Sequence, residues 1–315
     1  MVKTRFALCA VGLLAAACSP DLNDRTSILD GPRVLAIRSE PAEAKPGTVV
    51  AYRALVGQAG SDPSWAFCTA RKPLAELGPV STECMQVSGE SLVPFGEGFA
   101  ASGKLPADGC RNFGPEAPTA KPGEPPGRPV DPDVTGGFQQ PLRLLVDTPE
   151  GPRFSLGGTR LSCGLAGVTP EQLSEFQHRY VANENPELES VAVVGRGEAL
   201  KPGDGKNQVR RGEKLALRAS WKSCEAPPCA GAEPYVVFDP VSRTLVDRRE
   251  SIRVAWFATA GAFEHDRTGR DGEDPTTFVD NAWTAPDAAG PVQLWVVIRD
   301  DRGGVGWLDY HLMVE

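Results

Sequence analysis

The segment VQLWVVIRDDRGGVGWLDYHLMV, residues 292–314, decides the fold of this chain. Apolar residues alternate along both of its ends, and the Asp- and Gly-rich centre at 300–304 predicts a tight turn between two antiparallel strands. An earlier run, SIRVAWFA at 251–258, alternates with the same period of two. Alternation of this kind places one set of side chains on a buried face. The C-terminal part of the chain is therefore predicted to form an antiparallel sheet packed on a core.

The order of these motifs resembles the C-terminal half of PKD and related bacterial immunoglobulin-like domains. In that family a central strand carries a core Trp, here Trp256, and a W-x-A-P segment, here residues 283–286, leads into the next strand. The resemblance covers about residues 186–315 and implies a β-sandwich of two antiparallel sheets. The chain departs from the family pattern in an insert between Cys224 and Arg249.

A strand–turn–strand pattern occurs twice along the chain. KPGTVVAYRA at 45–54 and RRGEKLALRA at 210–219 both place a basic residue and Gly in a turn, and both end in Arg-Ala. A Val-rich run precedes each copy, at 34–37 and 191–194. This duplication predicts an all-β protein of two immunoglobulin-like β-sandwich domains. Chance similarity between β-strands is the alternative.

A short helix is predicted between the two copies, near 170–183. Thr169, Pro170 and Gln172 have the spacing of a helix start with a capping box, and the pair at 185–186 stops the helix. The alternative is a helix inside one continuous domain. The expected organisation is a signal peptide at 1–17, a tether at 18–31, a disulfide-containing β-rich domain at 32–185 and the immunoglobulin-like domain at 186–315.

The N-terminus has the pattern of an export signal. Lys3 and Arg5 precede an apolar run at 6–17, which is too short to span a membrane as a helix. Small residues stand directly before Cys18, so the segment resembles the lipobox of bacterial lipoproteins, although Ala15 stands where that motif usually has Leu. The resemblance implies that the Cys18 sulfur takes a diacylglycerol and its amine a further acyl chain, such as palmitate. A plain secretory signal is the alternative.

The residue after the lipobox Cys bears on localisation. Ser19 is not the Asp that retains enterobacterial lipoproteins in the inner membrane, so we expect lipid anchoring at the outer membrane, with the face left open. The whole chain also resembles lipoproteins of gliding, predatory bacteria, through WAFC at 65–68, KPL at 72–74 and Cys84. That resemblance implies no particular activity.

Six cysteines remain once Cys9 leaves with the signal and Cys18 takes lipid. An even number in an exported chain predicts disulfides, and no C-x2-C spacing indicates a metal site. The double Pro at 227–228 favours a bridge across a short loop, whereas the other four Cys allow three pairings. The expected pairs are Cys224–Cys229, Cys68–Cys84 and Cys110–Cys163.

Charge and motif content exclude several functions. The formal net charge is −8, with no cluster of Lys or Arg, which argues against a nucleic-acid partner. We find no motif for a nucleophile, a nucleotide or a cofactor. The only three histidines, His178, His265 and His311, are far apart, so we expect neither an enzyme nor a cofactor. The acidic loop at 264–280 is expected to be a solvated hairpin loop, with Ca²⁺ binding as the alternative.

The aromatic residues suggest a binding surface. Strand alternation that directs Trp256 into the core directs Trp295 and Trp307 to the opposite face, together with Phe257. We call Phe257, Trp295 and Trp307 the aromatic patch. Such a patch can stack sugar rings or anchor a protein. The alternative is that the insert at 224–249 or the first domain covers it.

We therefore expect a non-catalytic binding or assembly role at the outer membrane. The membrane is contacted through lipid, and an envelope protein or a polysaccharide is the expected partner. The alternative is an enzyme, or an enzyme accessory, that acts on wall or capsule polysaccharide. Carboxylates and a His in one cleft would favour the enzyme.

Overall fold

The computed structural model describes residues 26–58, 61–72, 77–120, 122–123 and 127–315. The signal segment and Cys18 lie outside these residues, as do Pro73 and Leu74. The fold is all-β, with two immunoglobulin-like β-sandwiches.

The first sandwich packs a three-stranded sheet, in the order β1-β3-β6, against a five-stranded sheet in the order β2-β8-β7-β4-β5. A 3-10 helix at Thr82–Met85 and a short helix α1 at Gly109–Phe113 lie in its connections. Its strands are β1 (Arg33–Glu40), β2 (Glu43–Ala44), β3 (Val49–Gly57), β4 (Ser64–Cys68), β5 (Leu92–Glu97), β6 (Ala100–Lys104), β7 (Gln139–Thr148) and β8 (Gly151–Leu161).

The second sandwich packs β10-β9-β12-β18-β16 against β11-β20-β19-β15-β17, and the hairpin β13-β14 is a separate two-stranded sheet. That hairpin forms the insert expected from the sequence. The strands are β9 (Leu188–Val193), β10 (Glu198–Ala199), β11 (Gly203–Val209), β12 (Lys214–Trp221), β13 (Pro234–Asp239), β14 (Thr244–Arg249), β15 (Ile252–Ala258), β16 (Ala262–Phe263), β17 (Arg267–Arg270), β18 (Phe278–Thr284), β19 (Gly290–Asp300) and β20 (Val305–Val314).

The two sandwiches share one topology. In each sandwich, one strand pairs with the first strand on one side and with a later strand on the other, as β1-β3-β6 in the first and β9-β12-β18 in the second. The registers also agree, because Val49 lies opposite Lys104 and Lys214 lies opposite Thr284. A short strand then runs parallel to the last strand in each sandwich, as β2 beside β8 and β11 beside β20. This correspondence favours duplication over chance similarity between strands.

The duplicated turns have the same hydrogen bonds. The Thr48 N–H donates to the Lys45 carbonyl at 3.1 Å, and the equivalent Glu213 N–H donates to Arg210, also at 3.1 Å. Gly47 and Gly212 have φ angles of 81° and 64°. This left-handed conformation favours Gly, which explains why both copies carry it at that position.

Each sandwich has its own core. Tyr52, Trp65 and Phe67 lie at the centre of the first. Trp256, together with the core-facing residues expected on β19, lies in the second. The turn between β19 and β20 is centred at Arg302, so Trp295 lies opposite Asp309 and Trp307 opposite Val297. In this register Trp295 and Trp307 lie on the face predicted for them.

The predicted helix is α2, Pro170–Arg179. The Thr169 side chain accepts a hydrogen bond from the Gln172 N–H, and the Gln172 side chain accepts one from the Thr169 N–H, which completes the capping box. The helix ends before the expected Asn183, because Tyr180 is already extended. In the described part of the chain, no helix is both long and apolar enough to cross a membrane.

The cysteines pair as the sequence predicts. The bridges are Cys68–Cys84, Cys110–Cys163 and Cys224–Cys229, with Cα–Cα distances of 5.4, 5.7 and 5.8 Å. The second of these ties helix α1, where the long Pro- and Gly-rich connection at 110–141 begins, to the end of β8. That connection therefore has an anchored start.

Candidate functional site

The aromatic patch is not an exposed binding surface. Phe257, Trp295 and Trp307 share the predicted face of the second sandwich, but Trp295 is only 2% exposed. The covering residues come from the N-terminal part of the first sandwich and are Leu29, Leu35 and Ala36. The interpretation of the patch as a ligand platform is therefore wrong. Strand alternation correctly placed these aromatic residues on the outer face of the sheet, but residues of the first sandwich cover that face.

The tether expected at 18–31 is ordered at its C-terminal end. Ile28 forms a parallel bridge with Ala258 at the end of β15. The Leu29 N–H donates to the Ala258 carbonyl, and the Ala258 N–H donates to the Ser27 carbonyl, both at 2.9 Å. Residues 27–29 therefore belong to the folded unit, since they form backbone hydrogen bonds with the end of β15 and bury the Leu29 side chain.

A buried ionic cluster lies where the two sandwiches meet. The Arg302 side chain is fully buried and donates from Nε to Glu250 at 2.6 Å and from Nη2 to Glu233 at 2.8 Å. Its Nη1 donates to the carbonyl of Val181 at 3.0 Å. Arg302 belongs to the β19–β20 turn, Glu233 to the insert, and Glu250 to the short connection between β14 and β15. The cluster therefore joins this turn, the insert and the segment after helix α2.

A second buried ion pair lies beside the first. Arg160 and Glu43 are both 2% exposed, and Arg160 Nε lies 3.3 Å from Glu43 Oε2. Tyr180 donates to the same carboxylate at 2.7 Å, and Thr135 accepts from Arg160 at 2.8 Å. The segment after helix α2 is therefore held against the first sandwich by charge-assisted hydrogen bonds.

The junction between the sandwiches is not an exposed linker. Asn183 and Asn185 are 1% and 5% exposed. The Asn185 side chain donates to the Ser39 carbonyl at 2.8 Å and accepts from the Val305 N–H at 2.9 Å, so one amide joins β1 to β20. A boundary near 186 therefore separates two sheet systems that are packed together, and a flexible hinge does not fit these contacts.

Burial changes the acidity of two carboxyls in this cluster. It raises the pKa of Glu250 to about 9, helped by the negative charge of Asp300 and opposed by Arg302. It raises the pKa of Asp300 to about 6, against the hydrogen bonds from the N–H groups of Gly303 and Gly304. Both carboxyls therefore bind protons more tightly in the folded state than in the unfolded state.

These shifts predict that the free energy of unfolding falls as the pH rises from about 4 to about 9. Because the pKa values of Glu250 and Asp300 are higher in the folded state, these carboxyls stabilise that state fully at a pH below their unfolded-state pKa values. The stabilisation is lost as the pH rises through their folded-state pKa values. Glu250→Gln should flatten the dependence above about pH 6 in urea unfolding. Glu264→Gln, at an exposed site, is the control and should keep the wild-type slope. An unchanged slope in Glu250→Gln would contradict the assignment.

A cleft of about 940 Å³ opens beside this junction. Three parts of the chain line it. The first sandwich contributes β1 at 34–37, β8 at 155–158 and the segments 70–72 and 79–81. The second contributes residues 299–301 and 303–305, and the long connection contributes Phe113 and residues 128–131. The volume lies in the range typical of ligand sites. The interlocked sandwiches therefore frame a cleft whose walls cannot separate without breaking the buried cluster.

Cations in this cleft have few ionic partners. Arg71 donates to the carbonyl of Arg128, Lys72 to that of Gly78 and Arg299 to that of Leu35. Burial, together with the nearby charge of Arg267, lowers the pKa of Arg299. Across the described residues, no carboxylate lies within 4.0 Å of these three cations.

Two carboxylates of the acidic loop at 264–280 form ion pairs with arginines. Asp274 pairs with Arg270 at 3.0 Å, and Asp280 pairs with Arg218 at 2.7 Å. The part of the chain that the structure describes contains no group of three His, Cys, Asp or Glu that could hold a metal ion. The histidines are dispersed, with His178 on α2, His265 beside Glu264 and His311 on β20.

Sequence reasoning missed both the ionic cluster and the cleft. It identified DDRGG at 300–304 only as a turn. A signal was nevertheless present, because a β-hairpin turn with three consecutive charged residues before Gly-Gly has more charge than turn formation needs. Of its partners, Glu233 lies in the insert, which stood out only as a departure from the family pattern, and Glu250 directly follows the insert.

No family model matches the chain, and no curated protein matches it. Among solved structures, dimeric latent PorU from Porphyromonas gingivalis is 11% identical with a TM-score of 0.22, over 90% of this chain and 24% of that one. A chimeric titin Z1Z2 tandem is 13% identical with a TM-score of 0.21, over 90% and 99%. The C-terminal domain of the Streptococcus pyogenes protein AspA is 9% identical with a TM-score of 0.23, over 91% and 100%. The chain spans about a quarter of PorU, and these similarities concern the fold alone.

Proposed function

We propose that this protein is a lipid-anchored binding or assembly protein of the outer membrane, and that the cleft between its two sandwiches is its binding site. The observation that carries the proposal is the cleft of about 940 Å³, framed by two interlocked sandwiches and lined by apolar side chains together with charged groups of both signs. A rigid concave surface with a few polar groups is the usual form of a binding site. Preorganised walls lower the entropy cost of binding.

The proposed anchor is Cys18. Acyl chains contribute about 0.8 kcal/mol for each CH₂ group buried in the bilayer, so several chains make attachment effectively permanent. Residue 27 already belongs to the folded unit, because it pairs with the end of β15. Only a short stretch of chain therefore separates Cys18 from the first sandwich, and the protein is expected to stay close to the membrane surface.

Replacement of the lipidated residue tests the anchor. Cys18→Ser should release the protein into the soluble periplasmic fraction, because no acyl chain is added. Cys9→Ser is the matched control and should leave the protein in the membrane fraction, since that residue leaves with the signal. Cell fractionation and detergent partitioning measure both. A Cys18→Ser protein that still partitions into detergent like the wild type would contradict the anchor.

Site-specific photo-crosslinking in intact cells tests the binding site. A photoreactive phenylalanine derivative at Ser155, which lines the cleft, should give an adduct of higher mass after irradiation. The same derivative at Val241, which is 91% exposed in the turn between β13 and β14, should give none. Equal adducts at both positions, or no adduct at Ser155, would contradict the cleft as the binding site.

A further inference from the structure

We infer that the face of the second sandwich that carries Arg253, Arg267 and Arg299 docks against the phosphate groups of anionic lipids in the membrane that anchors the protein. We call these three residues the arginine surface. The inference rests on the proposed anchor at Cys18, and it adds an orientation of the folded unit on the membrane. Strand register, missing ionic partners and the position of the N-terminal chain support it.

Strand pairing brings the three arginines to one face of the sheet. Arg253 of β15 lies directly opposite Arg299 of β19. Arg267 of β17 lies opposite Ala255, which is two positions along β15 from Arg253. Residues that lie opposite each other, or two apart on one strand, share a face. Like charges placed directly opposite each other are destabilising, and a bound anion would remove that repulsion.

None of the three cations has a carboxylate partner. Across the described residues, no carboxylate lies within 4.0 Å of any of them. Arg253 and Arg267 are exposed, whereas Arg299 is half-buried and donates to the Leu35 carbonyl. Burial and the nearby charge of Arg267 lower the pKa of Arg299. Two arginines are therefore available to a membrane surface, and a third adds to the local positive charge.

The next arginine on β17 shows the contrast. Arg270 pairs with Asp274 at 3.0 Å. Arg267 lies on the same short strand, three residues earlier, and has no such ion pair among the described residues. Pairing with a loop carboxylate is therefore not a general property of this edge of the sandwich.

Three carboxylates near this surface have other contacts. Asp301 accepts from the Ser251 hydroxyl at 3.0 Å. Asp30 and Asp266 act on the charge of Arg33, whose pKa burial nevertheless lowers. Asp301 offsets at most one of the three cations of the arginine surface, which therefore keeps a positive charge.

The N-terminal chain enters the fold beside this surface. The Thr26 hydroxyl donates to the Asp266 carboxylate at 3.0 Å, and Asp266 directly precedes Arg267. Eight residues along the chain separate Thr26 from Cys18. Even a fully extended chain of that length spans at most about 28 Å. A lipid at Cys18 therefore keeps the arginine surface within reach of the headgroups.

Charge complementarity identifies the lipid headgroup. A guanidinium donates two parallel hydrogen bonds to a phosphate, so arginines suit anionic phospholipids. The formal net charge of the chain is −8, and an anionic membrane repels most of its surface. Only a local positive face can make close contact, and that contact fixes the orientation of the anchored protein.

Vesicle binding by the full chain with Cys18→Ser measures this contact without acyl chains. In low salt the protein should bind vesicles of equal parts phosphatidylglycerol and phosphatidylcholine at least about 25-fold more strongly than pure phosphatidylcholine vesicles, and about 0.5 M NaCl should abolish the difference. Arg253→Gln with Arg267→Gln should weaken binding about 25-fold, since each arginine contributes about fivefold. Arg210→Gln with Arg211→Gln is the matched exposed pair and should leave binding unchanged.

Arginine modification tests the orientation of the lipidated protein in the same two kinds of vesicle. Phenylglyoxal should modify Arg253 and Arg267 at least about fivefold more slowly in the phosphatidylglycerol vesicles than in the neutral ones. Arg210 and Arg211 should react at the same rate in both. Peptide mapping by mass spectrometry measures each site.

Equal binding to both kinds of vesicle would overturn the inference, as would wild-type binding by the Arg253 and Arg267 variant. Equal protection of these arginines by inorganic phosphate without vesicles would also overturn it, because the surface would then hold free phosphate. If Cys18→Ser is released from the membrane in cells but shows no preference for phosphatidylglycerol, only the docking fails and the anchor stands. If Cys18→Ser stays in the membrane fraction, the anchor and the docking both fail.

Discussion

Replacement of Arg302 by Ala should destabilise the protein by about 3–5 kcal/mol, because it leaves Glu233 and Glu250 buried without their cation. Both carboxyl groups are fully buried and hydrogen-bonded to this one guanidinium. Breaking a buried pair by removing one partner leaves a charge that neither water nor protein can stabilise. Urea unfolding of the variant and the wild type measures the loss.

The dependence of that loss on pH separates charge from packing. It should be smaller at about pH 5 than at about pH 8, because a buried carboxyl that has lost its cation is more easily protonated at lower pH. Arg179→Ala is the control, since its partners Glu175 and Asp247 are exposed, and it should cost less than about 1 kcal/mol. A loss for Arg302→Ala that is equal at both pH values would assign the effect to lost packing and contradict the ionic role.

Trp295→Ala should also cost about 3–5 kcal/mol, as large-to-small changes at packed aromatic sites do. Trp295 is 2% exposed and lies against Leu35 and Ala36 of the first sandwich, so its removal opens a cavity between the sandwiches. Thermal and urea unfolding measure the change. Val241→Ala, at a site that is 91% exposed, is the surface control and should change stability by only about 0.5 kcal/mol.

The result for Trp295 decides between two roles of the aromatic patch. A change within about 1 kcal/mol would mean that Trp295 is solvated, as a ligand platform requires, and would contradict the covered interface. A large loss would support the interface and direct attention to the cleft as the surface that remains available for a partner.

Local sequence patterns predicted much of this fold. Alternation over 292–299 correctly placed Trp295 opposite the core face that holds Val296, because the period of two in a strand is a local property. The capping box at Thr169 predicted the start of α2 for the same reason, since its two hydrogen bonds span only three residues. Cysteine spacing and the short loop at 224–229 led to the observed disulfides.

The junction and the cleft could not be predicted in this way. Leu29 and Leu35, which cover Trp295, lie about 260 residues away along the chain, and no local pattern indicates which surface meets an outward face. Arg and Glu are usually exposed, so the burial of Arg302 with Glu233 runs against the ordinary expectation for both residue types. The cleft requires several segments that are distant along the chain, from β1, β8, the long connection and the turn after β19.

The interlocked junction is the central feature of this molecule, and scanning calorimetry tests it most directly. Two sandwiches joined by the Trp295 interface and the Arg302 cluster should unfold together, because opening either one exposes buried apolar surface and buried charge of the other. We expect one transition, with a calorimetric enthalpy equal to the van't Hoff enthalpy. Two resolved transitions, or a van't Hoff enthalpy well below the calorimetric one, would contradict the interlocked junction.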